Sequence, residues 1–229
     1  MIESLCSALI CLATPAAYLS PWVWRQGRMT AIRKHVTQNK LLALTYDDGP
    51  SEDLTPQLLD LLQENNAVAT FFMLGRNARA CPHLADRIVR EGHDVGCHSD
   101  QHLNALTAAP WRAVRDINTG YRELSPWLRS NGMFRPPYGK MTLPTYLTIR
   151  HRRASVWWWT IDSGDTQKTL PAPQEVVEQV ARENGGIVLM HDMKRSVERN
   201  AFVLETTESL LKLAKQNSIH VVALRNLCL

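Results

Sequence analysis

The chain has 229 residues, 45% of them hydrophobic and 21% charged, enough apolar material for one globular domain with a sizeable core, which excludes an intrinsically disordered chain. Lys and Arg total 26 against 22 acidic residues, and the resulting formal charge of +4 is too small and too scattered to point to nucleic acid as a partner. The five cysteines (Cys6, Cys11, Cys81, Cys97 and Cys228) form no C-x-x-C pair and are odd in number, which argues against a disulfide framework.

The N-terminal stretch Leu5 to Trp24 carries no charge and ends in two tryptophans. It is a poor signal peptide, because Glu3 rather than Lys or Arg precedes it, and Pro15 and Pro21 interrupt it as a spanning helix. Arg25, Arg28, Arg33 and Lys34 follow, and the positive-inside rule would leave what comes after on the cytoplasmic side. The expectation is therefore membrane contact through residues 5–24, as an anchor or an interfacial helix, with the folded domain on the cytoplasmic side. A buried N-terminal helix is the alternative. The chain divides into an apolar segment 1–24, a basic linker 25–40 and a folded domain 41–229; nothing in it indicates oligomeric state.

From Leu41 onward short apolar runs alternate with amphipathic stretches, the pattern of repeated β/α units. Seven strands are predicted, at Leu41–Tyr46, Ala67–Leu74, Asp94–Cys97, Met133–Arg135, Ala154–Asp162, Gly186–Met190 and His220–Leu224. Helices are predicted after Thr55-Pro56, after Pro82 as far as Gly92, and over Trp111–Leu128, Leu143–Arg152, Pro173–Glu183 and Asn200–Lys215. This order implies an α/β fold, a distorted (β/α) barrel of about seven parallel strands, with an open doubly wound sheet as second choice. In both, polar residues at the carboxyl ends of strands converge on one mouth.

Those ends carry unusual chemistry. Asp47 and Asp48 lie side by side before Gly49-Pro50, and two close carboxylates need a cation or strong hydrogen bonds nearby. His98 and His102 are four apart, so both can face one point if the segment makes a helical turn. Cys97, next to His98, reads as a small buried strand residue rather than a soft metal ligand. Two imidazoles with Asp47 or Asp48 make a three-ligand, open site of the catalytic kind, leaving the other aspartate as a base. Arg135 precedes a rigid Pro-Pro turn; it is placed to pair with a catalytic carboxylate and depress its pKa, and the N–H groups from Tyr138 onward are candidates to face an oxyanion. Trp157, Trp158 and Trp159 cannot all face inward along one strand; core packing is the plain reading, with one of them at the pocket. His191 ends an apolar strand where a general acid belongs, and Asp165 or Asp162 can accept its second N–H.

In order, TYDDGP, HSDQH, RPPYG, DSGDT and VLMHD resemble the five motifs of the NodB-type polysaccharide deacetylases, carbohydrate esterase family four. The resemblance covers the chain from about Leu41 onward and implies a barrel with fewer than eight repeats. By similarity Asp47 is the general base, Asp48, His98 and His102 hold a divalent metal, and His191 is the general acid. Arg135 orients Asp47, Asp165 tunes His191, and the Tyr138 N–H joins in stabilising the oxyanion. Zinc is the expected metal, with cobalt, nickel or manganese suited to the same donors. The expected substrate is an N-acetylated amino sugar in a poly- or oligosaccharide. The alternatives are a sugar-lipid or small-molecule amide, and a metal- or carbohydrate-binding domain without catalysis. Two positions depart from the family pattern: Thr166 stands where it has tryptophan, and Val188 where it has leucine. The first removes an aromatic wall from the expected groove.

Overall fold

The computed structural model describes residues 21–129 and 132–227. Residues 21–38 form helix α1. There follow β1 (Leu41–Asp47), α2 (Thr55–Glu64), β2 (Thr70–Met73), α3 (Gly75–Ala80), α4 (Pro82–Arg90), β3 (Asp94–Cys97), α5 (Pro110–Glu123), β4 (Met133–Phe134) and α6 (Leu143–His151). The chain continues through β5 (Ser155–Val156), β6 (Ile161–Asp162), α7 (Pro173–Glu183), β7 (Gly186–His191), α8 (Val197–Asn217) and β8 (His220–Val221). All strand pairs are parallel, in the order β5-β4-β3-β2-β1-β7-β6, and β8 joins the first two residues of β1.

This order curls the sheet. β5 and β6 are its two edges, yet only Trp157 to Thr160 separate them in the chain. Six interstrand steps of about 4.8 Å would set the edges of a flat sheet about 29 Å apart, whereas five residue steps reach about 17 Å. The edges must approach one another, and the result is the distorted, open α/β barrel expected from the motif order. The predicted strand Ala154–Asp162 breaks at this seam into β5 and β6. The seam's carbonyls are satisfied by side chains instead of a neighbouring strand: Arg135 Nη2 donates to Trp158 O at 3.4 Å and Arg33 Nη2 to Thr160 O at 3.1 Å.

Alternation along each strand sorts the residues into two layers. On the outside, under the helices, Leu42, Leu44 and Tyr46 of β1 pack with Phe71, Val95, Phe134, Val188 and Met190. Cys97 belongs to this layer, and burial pushes its thiol up to about 12, so it faces away from His98's side of the strand. Inside, Ala43, Phe72, Trp157 and Ile187 fill the lower barrel, which leaves Thr45, Asp47 and His191 towards its carboxyl end. Trp158 is in the outer core, Trp157 in the inner one, and Trp159 is half-buried beside both.

Helix α1 closes the lower end. Its Ile32 and Val36 are buried among the inner residues, and Trp24 packs edge-on against Tyr146 and Trp158 with centroids 5.1 and 5.4 Å apart. The stretch 25–40, expected as a basic linker, is helix as far as residue 38. The expected membrane contact with a cytoplasmic-side domain is corrected by the same observations. Among the described residues no helix is long and apolar enough to cross a membrane, and residues 21–24 open a helix packed on the barrel. The rest of the apolar stretch, residues 5–20, lies outside the described residues, as do Cys6, Cys11 and Cys228.

Candidate active site

Asp47 is the last residue of β1 and points into the barrel. Its neighbour in an extended chain would point out. Asp48 instead takes a left-handed conformation, φ 71°, which turns its carboxylate back to the same mouth. The turn is pinned at both residues: Asp192 N–H donates to Asp47 O at 2.7 Å, Asp48 N–H to Phe72 O at 3.1 Å, and Asn77 Nδ2 to Asp48 O at 2.6 Å.

His98 follows β3, and its Nδ1 lies 2.7 Å from Arg135 O. A carbonyl only accepts, so Nδ1 carries the proton and the Nε2 lone pair faces the mouth. Burial holds this imidazole down to about 3, keeping it neutral as a metal ligand must be. His102 reaches the same point by a different route from the one its spacing suggested. The segment from His98 to His102 is not a helical turn but a loop with two left-handed residues, Ser99 at φ 70° and His102 at φ 62°. Helix α5 braces that loop. Buried Asp116 accepts the N–H groups of Gln101 (2.7 Å) and Leu103 (3.1 Å), the residues either side of His102. One turn on, Gly120 presses against the Ser99 backbone so closely that a Cβ would stand 2.4 Å from its carbonyl carbon.

Asp48 Oδ1 lies 3.5 Å from His98 Nε2 and 3.4 Å from His102 Nε2, and it is buried with no hydrogen-bond donor among the described residues. A carboxylate oxygen orphaned between two imidazole nitrogens is a place for a cation. Ligands about 2.1 Å from a tetrahedral zinc sit about 3.4 Å from one another, so the donor set and its spacing fit. Asp48, His98 and His102 form a buried metal-binding triad.

Asp47 beside it is held by an arginine. Its Oδ1 accepts from Arg135 Nη1 at 2.8 Å, and its Oδ2 is 3.6 Å from His98 Nε2. Arg135 has no exposed surface; it also donates to Thr45 Oγ1 at 2.8 Å and lies 4.2 Å above the Phe72 ring. Arg135 was expected to depress the carboxylate's pKa. Burial outweighs that pull, and Asp47 stands above the ordinary carboxylate range. Across the mouth His191 Nδ1 donates to Asp165 Oδ1 at 2.9 Å. Burial would lower this imidazole, but the Asp165 bond and charge, with Asp47 and Asp48 beyond, carry it above its ordinary value. Asp162 does not share the contact; its Oδ1 accepts Gly164 N–H. Tyr138, at φ 56°, lays its ring 4.5 Å from that of His102. The hydrogen bonds of its turn run from Gly139 N–H to Pro136 O and from Lys140 N–H to Pro137 O, leaving out the Tyr138 N–H.

These groups border one cavity of about 470 Å³, to which Trp159, Thr166 and Met193 add wall. Three contributors went unread in the sequence. Asp116 is a lone acid in a helix, and Asn77 lies in a short helix that was not predicted. Arg195 donates to Asp165 Oδ2 at 2.6 Å and to His191 O at 2.9 Å, locking the Asp165–His191 pair from behind. Its place four residues after His191 was the available signal.

A sequence profile of the polysaccharide deacetylases matches residues 34–152. The chain is 34% identical over 157 residues to a peptidoglycan-N-acetylglucosamine deacetylase of Bacillus cereus, covering 67% of this chain and 73% of that protein. The chain belongs to the polysaccharide deacetylase family. It is also 33% identical over 178 residues to the peptidoglycan-N-acetylglucosamine deacetylase PgdA of Listeria monocytogenes, covering 76% of this chain but 36% of that longer protein. The fold superposes on the crystal structure of the Bc1960 peptidoglycan N-acetylglucosamine deacetylase with a TM-score of 0.74 at 24% identity, over 82% of this chain and 88% of that one.

If Asp116 holds His102 in its strained conformation, Asp116→Ala should weaken metal binding about 10- to 100-fold, the range seen when outer partners of metal ligands are removed. Competition with a chromophoric chelator reads the affinity, and unchanged affinity in a folded variant would show that the loop stands without α5.

Proposed function

We propose that this polysaccharide deacetylase removes acetyl groups from N-acetylated amino sugars of a glycan, and that zinc is the metal it uses. The observation that carries the reading is the unequal treatment of two adjacent carboxylates. Asp48 is left bare between two imidazoles, whereas Asp47 is tied to a buried arginine. A non-catalytic binding domain has no need for the second arrangement, nor for a histidine–aspartate pair facing it. The sugar-lipid alternative drew its support from the apolar N-terminus and has none from the described residues.

When bound by Asp48, His98 and His102, the cation polarises the acyl carbonyl and lowers the pKa of water. The rest is the work of side chains. Asp47 accepts the proton of the attacking water at Oδ2, its Oδ1 being held by Arg135. A carbon–oxygen bond forms, and the negative charge on the former carbonyl oxygen is met by the Tyr138 N–H. His191, protonated and oriented through Nδ1 by Asp165, gives its Nε2 proton to the departing nitrogen as the carbon–nitrogen bond breaks. The products are acetate and a free amine on the sugar. Thr166 in the cavity wall leaves it wider on that side than a tryptophan would.

Acetate release from chitopentaose is expected from the metal-loaded protein and not after chelation; release that survives chelation would overturn the metal-dependent reading. The pH dependence tests the acid. His191 works protonated, so kcat falls as pH rises through its raised pKa. Asp165→Asn removes the charge that raises it, and the alkaline limb should move to lower pH. An unmoved limb would take His191 out of the acid's role.

A further inference from the structure

A second cavity, of about 520 Å³, lies beside the first and is outside the triad and its partners. Consecutive residues wall the two. Tyr138 and Trp159 face the metal cavity, while Gly139, Lys140 and Trp158 face the second, which Trp22 and Arg25 of α1 complete. We propose that this cavity is a subsite for a carboxylate-bearing sugar on the same glycan strand whose acetamide enters the metal site. The proposal rests on the deacetylase reading above.

Three observations carry it. The first is continuity, because a chain leaving the metal site over the Tyr138–Lys140 turn enters the second cavity at once. The second is a sugar platform: the Trp22 indole is 55% exposed at the rim, an apolar face of the kind on which the C–H side of a pyranose lies. The third is charge. Arg25 is half-buried, its guanidinium 5.7 Å from the Trp158 ring and 5.8 Å from that of Trp159. Gly139 packs closely on Trp159, where a Cβ would stand 3.0 Å from the ring, and Arg25 Nη1 lies beside it. Lys140 supplies a second cation, and among the described residues no acidic residue lines the cavity. Among the described residues neither Arg25 nor Lys140 makes an ion pair. A half-buried guanidinium beside two aromatic rings, without a carboxylate, is a preorganised anion site. A neutral glycan would leave both cations unused. Trp22 and Arg25 lie ahead of the stretch matched by the family profile.

Binding, separately from turnover, tests the subsite. Full-length, metal-loaded Asp47→Asn protein is titrated calorimetrically with chitopentaose and with a peptidoglycan strand of the same length, stripped of its stem peptides so that its lactyl groups end in carboxylates. The anionic strand is expected to bind about tenfold tighter at low salt, a preference that shrinks at about 0.5 M salt. Lys140→Gln and Arg25→Gln should each bring the ratio of the two Kd values towards one, and Trp22→Ala should weaken both strands about equally. Equal Kd values for the two strands, or a ratio unmoved in both charge variants, would overturn the subsite. Should wild-type protein release no acetate from either strand, the deacetylase reading falls while the Kd ratio still decides whether an anionic glycan binds here.

Discussion

A guanidinium with no exposed surface lies at the centre of the barrel, and the mouth is arranged around it. Burying an unpaired Arg135 would cost several kcal/mol, roughly the penalty for any ion moved out of water. The Asp47 carboxylate, the Thr45 hydroxyl, the Trp158 carbonyl and the Phe72 ring together offset that cost. Two of those contacts do a second job. The Asp47 contact fixes a carboxylate with one oxygen free, and the Trp158 contact closes the seam between β5 and β6. The residue's own carbonyl receives His98 Nδ1 and so sets the tautomer of a metal ligand. One buried cation thus links the two halves of the site, the cation triad and the carboxylate beside it.

Around this fixed point the backbone is strained. Asp48, Ser99, His102 and Tyr138 all adopt left-handed conformations, each at a cost of about 1–3 kcal/mol for a residue with a side chain. The strain persists because neighbouring elements leave no relaxed alternative. Asp116 and Gly120 of α5 hold the loop that carries His102, and Asn77 and Asp192 hold the turn that carries Asp48. Burial pushes the Asp192 carboxyl up to about 8, against the hydroxyls of Thr55 and Ser51 that bond it. Gly49 packs onto that carboxyl at a distance no Cβ would allow. Positions that look like loop ends in the sequence are therefore among the most constrained in the fold.

Much of this was legible from residue type and order. Paired carboxylates at a strand end, two histidines four apart and an arginine before a Pro-Pro turn announce charge that needs neutralising, and period-two alternation places it at one end of a barrel. What stayed hidden has physical reasons. Beyond Trp24 the apolar face of α1 is Met29, Ile32 and Val36, dispersed among arginines and lysines, so composition hid a helix that spacing carries. The break in the aromatic strand depends on sheet closure, a property of the whole barrel and not of Trp157 to Thr160. His102 was placed in reach of His98 by a helical turn that does not exist, because spacing constrains separation and says nothing of φ. Asp116 and Arg195 act through backbone atoms and through other side chains, and neither mode of action leaves a motif.

The two mouth carboxylates are adjacent in the chain and opposite in function, one bare for a cation and one held for a proton. The most direct test is the metal content of Asp47→Asn and Asp48→Ala proteins, purified in parallel and reloaded with zinc. The account predicts about one equivalent of metal in the first, with acetate release reduced by about 10²- to 10⁴-fold, and little or none in the second. An empty Asp47→Asn site or a fully loaded Asp48→Ala site would contradict it.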